Sequence, residues 1–494
     1  MTDGGRHTGA GVRVTTRSRP VRSPEVVPVY RALTERFGAD QVYLLQSASG
    51  DERDARHQFV GFGAVLSLSV TRGAVRIGGL PELRDRAAAR LAPLLARDAR
   101  GVQRLADRTD LWEVLRSVRG LFDAESSATA FRFGFLAAFG YDTARYIEDL
   151  PLLIDQPPDL PDVHLVVHRG CVAMDLRTGL AELLLHEADG WPPLPQAEVV
   201  RLIERAPLTH PSAAPPTVPE AEVSDDLTEE VFTGWVERCL AHIAVGDIYQ
   251  VQIGHQLTMR SRADPVDVYL RLLERNASPY MYLVGIAGQR LIGASPELFV
   301  RVEDGLVTMR PIAGTLPHRE GDAGAAARRL RGDPKEVAEH TMLVDLCRND
   351  IGRICAEGTL EVPEQLTIAR YSHVLHMVST VAGRAEAGRD SFDAVAATFP
   401  AGTMTGAPRI RAMEIIESVE HSRRGMYAGA LGLIDIGGYT NLALCIRTLF
   451  HQGDVYRTRA SAGIVADSDP AREWRETLAK LSAGHWAVTG GELL

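Results

Sequence analysis

Residues 398–416 read TFPAGTMTGAPRIRAMEII, and the organisation of the chain is argued outward from them. Pro400, Ala401, Gly402, Gly406, Ala407 and Pro408 are small or ring-locked, and they frame two hydroxyls, Thr403 and Thr405. A helical pattern starts directly afterwards. Such a loop lets backbone N–H groups approach a ligand closely, and a helix N-terminus favours negative charge. For an isolated loop of this kind, a tight turn before a helix is the better reading. The remainder of the C-terminal half decides between the two.

Composition narrows the field. With 494 residues, 45% hydrophobic and 24% charged, the chain has the make-up of a soluble globular protein of two or three domains. A net charge of −10 argues against non-specific binding to nucleic acid or to an anionic membrane. An anionic ligand would then need local cations and backbone N–H groups. Cys171, Cys239, Cys347, Cys355 and Cys445 are scattered, odd in number and without CxxC spacing. They read as reduced thiols of a cytoplasmic protein, with no disulfide framework and no zinc site. No apolar run is long enough to span a membrane.

Punctuation divides the chain. Residues 1–24 read as a disordered basic tail, without the apolar core of a secretory signal. Residues 206–221, APLTHPSAAPPTVPEA, read as a Pro-rich connector between an N-terminal region (25–205) and a C-terminal region (222–494). Strand-like alternation runs through QVYLL, HQFVGFGAVLSLSV and GAVRIGG before a helical stretch near 81–98. Beyond the connector, YMYLVGI, QRLIGAS, LFVRVED and GLVTMRP are short strands with Gly and Asp-Gly breaks, and further hairpins follow from residue 429. Helices are clearest at 334–352, 408–418 and 470–482. Antiparallel strand pairs mixed with helices predict an α+β fold.

Asp333-Pro334 and Asp469-Pro470 place Asp at a helix N-cap and Pro at the next position. Each is followed by two glutamates three apart, Glu336 with Glu339 and Glu473 with Glu476, which share one helix face. Two such pairs could converge on a hard cation with oxygen ligands. From spacing alone, a solvated face with Glu–Lys pairing, such as Glu476 with Lys480, is the better reading.

Eight blocks in one order change that balance: GDIYQV (246–251), NASPYM (276–281), GASPE (293–297), RPIAGT (310–315), KEVAEHTMLVDLCRND (335–350), YSHVLHMVS (371–379), the opening loop, and AGIVADSDP with EWRET (462–477). From about Ser224 to Ser482 the chain resembles the chorismate-utilising enzymes, most of all the large subunit (component I) of anthranilate synthase. The resemblance implies two large, roughly orthogonal antiparallel β-sheets with helices packed outside and a cleft between them. It implies Mg²⁺ on Glu339 and Glu476, with Glu336 and Glu473 acting through water, and a bridge to the ring carboxylate of chorismate. Glu297 matches the general acid for the departing C4 hydroxyl, which requires a raised pKa. His376 matches the histidine beside the ring, and Thr403 a hydroxyl near the reacting carbon. Tyr427, Arg447 and the backbone of Gly463 match the grip on the enolpyruvyl carboxylate, with Gly402 in the loop. Thr405 reads as a loop-stabilising hydroxyl.

Departures refine the expectation. Gln250 stands where water-using relatives, the isochorismate and salicylate synthases, carry Lys, and a neutral amide cannot deprotonate water. Ala313 stands where aminodeoxychorismate synthases have a nucleophilic Lys. Ser461 replaces a common Gly at the enolpyruvyl end, and Arg409 replaces Lys. Leu45, Gln46 and Ser47, with Asn276, Pro279, Tyr280 and Met281, resemble the tryptophan feedback site. Gln46 there replaces an acidic residue, so tryptophan sensing is expected to be weakened and the N-terminal region to be regulatory in form only.

The first expectation is amination of chorismate at C2 with loss of the C4 hydroxyl, then elimination of pyruvate to give anthranilate. The second stops at 2-amino-2-deoxyisochorismate, as in specialised metabolism. Aminodeoxychorismate and isochorismate chemistry, a regulator without activity and a phosphoryl-transfer enzyme rank below these. The resemblance also implies ammonia from a separate glutamine amidotransferase subunit, and a homo- or hetero-oligomer.

Overall fold

The computed structural model describes residues 11–22, 25–51, 53–209, 218–317, 323–370 and 374–494. Tyr371, Ser372 and His373 of the YSHVLHMVS block therefore lie outside the described residues. The α+β class holds, with twenty-four strands joined in one hydrogen-bonded network and helices packed against it. Pairing is antiparallel except between Val12–Val14 and Phe122–Ala124. Long strands make the network continuous. His57–Thr71 pairs with Val42–Gln46, with Ala74–Gly79 and with Val163–Asp175, so the pair of sheets expected from the sequence is joined through shared strands.

Three expected boundaries move. Residues Val12–Val21, read as part of a disordered tail, form a strand paired with Leu180–Ala188. Val12 and Val14 are buried while their neighbours are exposed, so alternation outweighs the basic composition of this segment. The helix Gln196–Thr209 carries Pro207 inside it and extends into the expected connector, and a strand starts at Ala221. Residues 210–217 of that connector lie outside the described residues. The helical stretch near 81–98 ends at Leu91 and is followed by a 3-10 turn at Ala92–Leu94 and a strand at Leu95–Arg97, because Pro93 interrupts it.

The division into N- and C-terminal regions is one of sequence, not of packing. Tyr43–Gln46 pairs with Met281–Val284, and Gly134–Phe139 pairs with Ala430–Asp435. The largest core combines Leu68, Phe135 and Leu165 from the first region with Phe299, Phe392 and Leu442 from the second.

One ladder positions the site. Gln250–Ser261 pairs with Val455–Ile464, with Gln252 opposite Gly463 and Gly254 opposite Ser461. Side chains alternate across a strand. Val251, Ile253, Ala462 and Ile464 therefore enter a core with Trp235 and Ile415, while Gln250, Gln252, Ser461 and Gly463 share the other face. Gly254 is required because a Cβ there would lie 2.1 Å from the Ala460 carbonyl oxygen.

Beneath that face lies a buried ion triad. Glu420 accepts from Arg424 at 2.8 Å and from Arg459 at 2.8 Å, and its carboxylate also receives the Gly254 N–H at 2.9 Å. Burial raises the Glu420 pKa, but Arg424 and Arg459 more than offset this and hold it below the usual range. Arg424 also donates to the Met404 carbonyl at 2.8 Å and to the Gln252 carbonyl at 2.7 Å. Glu420→Gln leaves two buried guanidiniums with one carboxylate too few, so it is expected to cost about 3–5 kcal/mol. The midpoint of urea denaturation measures this, and a midpoint equal to wild type would contradict it.

Candidate active site

The opening loop forms a 3-10 turn at Gly402–Met404, a short strand at Gly406–Ala407 against Gln250–Val251, and the helix Arg409–Val419. The helix start is not the part that reaches the site. Pro408 and Ile410 are exposed there, and Arg409 is paired with Asp350. The turn reaches it instead. Gly402 packs against Leu346, where a Cβ would lie 2.8 Å from Cδ1. Thr403 sits against Glu297 without complete hydrogen-bond geometry. The Thr405 hydroxyl donates to the Ala401 carbonyl at 3.1 Å, the loop-stabilising role expected of it.

Glu297 follows the strand Gln289–Ser295 and is buried. Removal from water pushes its pKa up to about 8, and Thr403 and Lys480 limit the rise. A carboxyl with such a pKa carries a proton near neutrality and is equipped to act as a general acid.

The two capped helices form as expected. Asp333 accepts from the Lys335 and Glu336 N–H groups at the start of Pro334–Gly352, and Asp469 accepts from Arg472 N–H at the start of Pro470–Thr489. Their glutamates meet. Burial raises Glu339, and the charges of Glu336 and Glu476 raise it further. Burial and Asp333 raise Glu336, while burial and Glu476 raise Glu473. Burial also opposes the charge of Glu476, but Lys480 at 2.7 Å more than offsets it and holds the group below its usual range. Four carboxylates thus share one lysine at contact distance, with Lys335, Arg472 and Arg447 further out.

That surplus of oxygen donors and negative charge fits a hard divalent cation. No three of these carboxylates lie within 4.8 Å of one another; among the described residues, only Asp225, Asp226 and His255 form such a group. That second cluster is satisfied internally, since the His255 ring nitrogens contact Asp225 and Thr477, each at 2.8 Å.

His376 lies on the strand Val374–Arg384, with Nδ1 3.3 Å from the Gly314 carbonyl oxygen. A carbonyl only accepts, so Nδ1 carries the proton and Nε2 the basic lone pair. Burial pushes the imidazole pKa down to about 4, and the nearby Arg447 charge adds to this, so the ring is neutral. Gly314 has φ +65°, and a Cβ there would lie 2.9 Å from Glu336 Oε2. The histidine and the glutamate cluster are therefore neighbours, with Ala313 buried between strand and helix.

Arg447 has φ +50°, a conformation that non-glycine residues adopt where surroundings over-determine it, and active sites gather such residues. Its Nη1 donates to the Lys480 carbonyl at 3.1 Å, and its charge is felt by Glu476 and His376. Tyr427 lies close enough for its phenol to act on Arg447. The Tyr427 hydroxyl meets Ser461 Oγ at 2.7 Å, and Ser461 Oγ donates to Gln252 Oε1 at 3.1 Å. Gly463 leaves room for the Gln252 and Gln250 amides, whose nitrogens would lie 2.8 and 2.9 Å from a Cβ there. Gln250 Oε1 is buried and has no hydrogen-bond partner among the described residues.

Contact and charge link Glu297 with Thr403 and Lys480, Lys480 with Glu476 and Ser461, and Arg447 with His376, Glu476 and Tyr427. Lys480 was expected only as a helix-surface partner of Glu476, yet its Nζ also donates to the Ser461 carbonyl at 2.8 Å, linking the Tyr427–Ser461–Gln252 hydrogen bonds to the carboxylate cluster. Gln252 was missed as well, although its alternation with Gln250 placed it on the same face.

The structure resembles anthranilate synthase component I from Streptococcus pneumoniae, with a TM-score of 0.69 and 28% identity over 87% of this chain and 92% of that one. It also shares the fold of the menaquinone-specific isochorismate synthase of Escherichia coli, with a TM-score of 0.65 and 19% identity over 97% of this chain and 95% of that one. The family model described as chorismate binding enzyme matches residues 84–484. The chain belongs to the chorismate-binding enzymes. Within them it is of the anthranilate synthase component I type. The chorismate-binding match starts well before Ser224, so it covers much of the N-terminal region too. A 2-amino-4-deoxychorismate synthase from Streptomyces globisporus is 65% identical over 98% of this chain and 98% of its own length. Anthranilate synthase component 1 from Streptomyces coelicolor is 42% identical over 73% of this chain and 74% of its own length.

The residues that resemble the tryptophan feedback site gather around a separate cavity of about 50 Å³. Leu45, Gln46, Ser47, Pro279, Tyr280 and Met281 line it; Asn276 ends the helix Pro265–Asn276 and does not. The Gln46 side-chain carbonyl accepts from the Tyr269 hydroxyl at 2.7 Å.

A general acid at Glu297 works only while protonated, so turnover is expected to fall as pH rises through about 8. Glu297→Gln should remove that limb together with at least about 100-fold of the rate. A profile of kcat/KM against pH checks this, and a wild-type rate that is flat to pH 9.5 would contradict the assignment.

Proposed function

We propose that this chorismate-binding enzyme adds ammonia at C2 of chorismate, expels the C4 hydroxyl and keeps the enolpyruvyl ether. The product is then 2-amino-4-deoxychorismate, the compound in the name of the 65% identical relative. Its atoms read directly from that name, with an amine on C2, no oxygen on C4 and chorismate's side chain intact. That connectivity is also the one in which the second sequence reading stops.

The protonated Glu297 carboxyl is the observation that carries the reading. Ammonia bonds to C2, the two ring double bonds shift toward C4, and the C4 hydroxyl leaves with the Glu297 proton as water. Gln250 Oε1, a buried acceptor with no hydrogen-bond partner among the described residues, suits an N–H of the incoming ammonia. Ala313 offers no amine for a covalent intermediate. Arg447 and Lys480 supply positive charge for the substrate's two carboxylates. Glu339 and Glu476, supported by Glu336 and Glu473, would hold Mg²⁺, which when bound supplies charge neutralisation at the ring carboxylate. Ammonia would come from a glutamine amidotransferase subunit, with free ammonium as a substitute in vitro.

The neutral His376, with its basic Nε2 beside the substrate site, favours a second reading in which the C2 proton is removed and pyruvate eliminated. A lactate dehydrogenase assay separates the two. With chorismate, ammonium and Mg²⁺, chorismate is expected to disappear without pyruvate, and pyruvate released mole for mole would overturn the first reading. Glu339→Gln and EDTA should each abolish turnover at ordinary Mg²⁺; full activity in EDTA would remove the metal proposal. Because Tyr269 occupies Gln46, tryptophan is expected to leave the rate unchanged, and half-inhibition at micromolar tryptophan would contradict this.

A further inference from the structure

The enolpyruvyl end holds a chain of three hydrogen-bonding groups whose direction is determined. Gln252 Oε1 is an amide oxygen and only accepts. The single Ser461 proton is therefore spent on it across 3.1 Å. Ser461 Oγ is left as an acceptor, so the Tyr427 hydroxyl, 2.7 Å away, must donate to it. Tyr427 and Ser461 are buried, each at 3% exposure or less, and Gln252 is half-buried. Tyr427 consequently turns lone pairs, not a proton, toward any group bound between it and Arg447. Of the other proton carriers nearby, Glu297 has given its proton to the departing C4 hydroxyl, and Lys480 directs N–H groups to the Ser461 carbonyl and the Glu476 carboxylate.

Loss of the side chain from 2-amino-4-deoxychorismate needs two proton transfers. A base takes the proton on C2, the electrons of that C–H bond form C2=C3, and the C3–O bond breaks. The departing enolpyruvate must then receive a proton to become pyruvate. His376 can meet the first requirement. A phenol whose proton is committed elsewhere cannot meet the second.

We propose that Ser461 is the positioning residue that preserves the enolpyruvyl ether, because it draws the Tyr427 proton away from the leaving oxygen. This deepens the proposed function and rests on it. It accounts for a site that carries a base at the ring yet stops at amination. It also gives Ser461 a role distinct from contact with substrate, since the side chain acts through Tyr427.

The test uses the full-length enzyme with Ser461→Gly and Ser461→Ala, both of which remove the acceptor. The readout is pyruvate formed per chorismate consumed, a ratio independent of how fast each variant aminates. Wild type is expected near zero, and the variants should raise the ratio about ten- to hundredfold, in line with a single hydrogen bond gained at a developing oxyanion. Tyr427→Phe added to Ser461→Gly should abolish the gain, which a merely structural effect of Ser461 would not predict. Purified 2-amino-4-deoxychorismate given to the same proteins reads the elimination alone, so a variant that no longer aminates still reports. Conversion to fluorescent anthranilate by Ser461→Gly or Ser461→Ala, but not by wild type, is the expected result. An ether equally stable in wild type and both variants would overturn the role of Ser461 while leaving the proposed function standing. Pyruvate from wild type itself would instead overturn the proposed function, and with it this inference.

Discussion

Glu420, held without exposure between Arg424 and Arg459, is the interaction on which the site's geometry depends. One carboxylate for two guanidiniums is costly to bury, and such groups persist where each is fully hydrogen-bonded. Arg424 shows what this arrangement accomplishes. Its remaining N–H groups hold the carbonyls of Met404 and Gln252, and its plane lies 4.7 Å from the Tyr141 ring centre and 5.9 Å from that of Tyr427. A single side chain therefore fixes the loop that carries Thr403, the strand that carries Gln250 and the phenol at the enolpyruvyl end. Arginine suits the task, because its planar fork makes several directed bonds at once.

Charge is distributed with equal economy. The chain is acidic overall, yet the substrate proposed for it is a dianion. Four glutamates gather on two helices with Lys480 between the carboxylates and the Ser461 strand, while Arg447 stands behind. Burial and the charge of Glu476 raise Glu336, Glu339 and Glu473 while Lys480 holds Glu476 down, and the deficit of cations is what a divalent ion would fill. Glu297, by contrast, is raised by burial and not by other carboxylates. The two kinds of perturbation separate the proposed roles: shared negative charge for holding a cation, and desolvation for holding a proton.

Much of this was legible in the sequence. The Asp-Pro starts of two helices and the spacing of Glu336, Glu339, Glu473 and Glu476 identified both capped helices and the face on which the carboxylates lie. Alternation placed some strands down to their ends, as at Tyr280–Ile286 and Gln289–Ser295, but left long ones such as Val163–Asp175 and Gln250–Ser261 unread. Convergence was not legible from spacing, because it depends on which strands pair across more than 150 residues, as Gln252 does with Gly463. The basic tail was misjudged because composition was weighed above the alternation of Val12 and Val14. Lys480 was undervalued because a surface i,i+4 pair is the commoner fate of such a residue. The link from Tyr427 through Ser461 to Gln252 could not be seen in a linear sequence at all, since it joins one turn and two strands by side-chain geometry.

The central claim is that nitrogen enters at C2 and that no carbon is lost. Mass spectrometry and NMR of the product formed from chorismate and ¹⁵N-ammonium test it most directly. The account predicts one ¹⁵N bonded to C2 of a non-aromatic ring that retains both carboxylates of chorismate and the enolpyruvyl carbons. Labelled anthranilate with an equivalent of free pyruvate, or ¹⁵N bonded to C4, would contradict it.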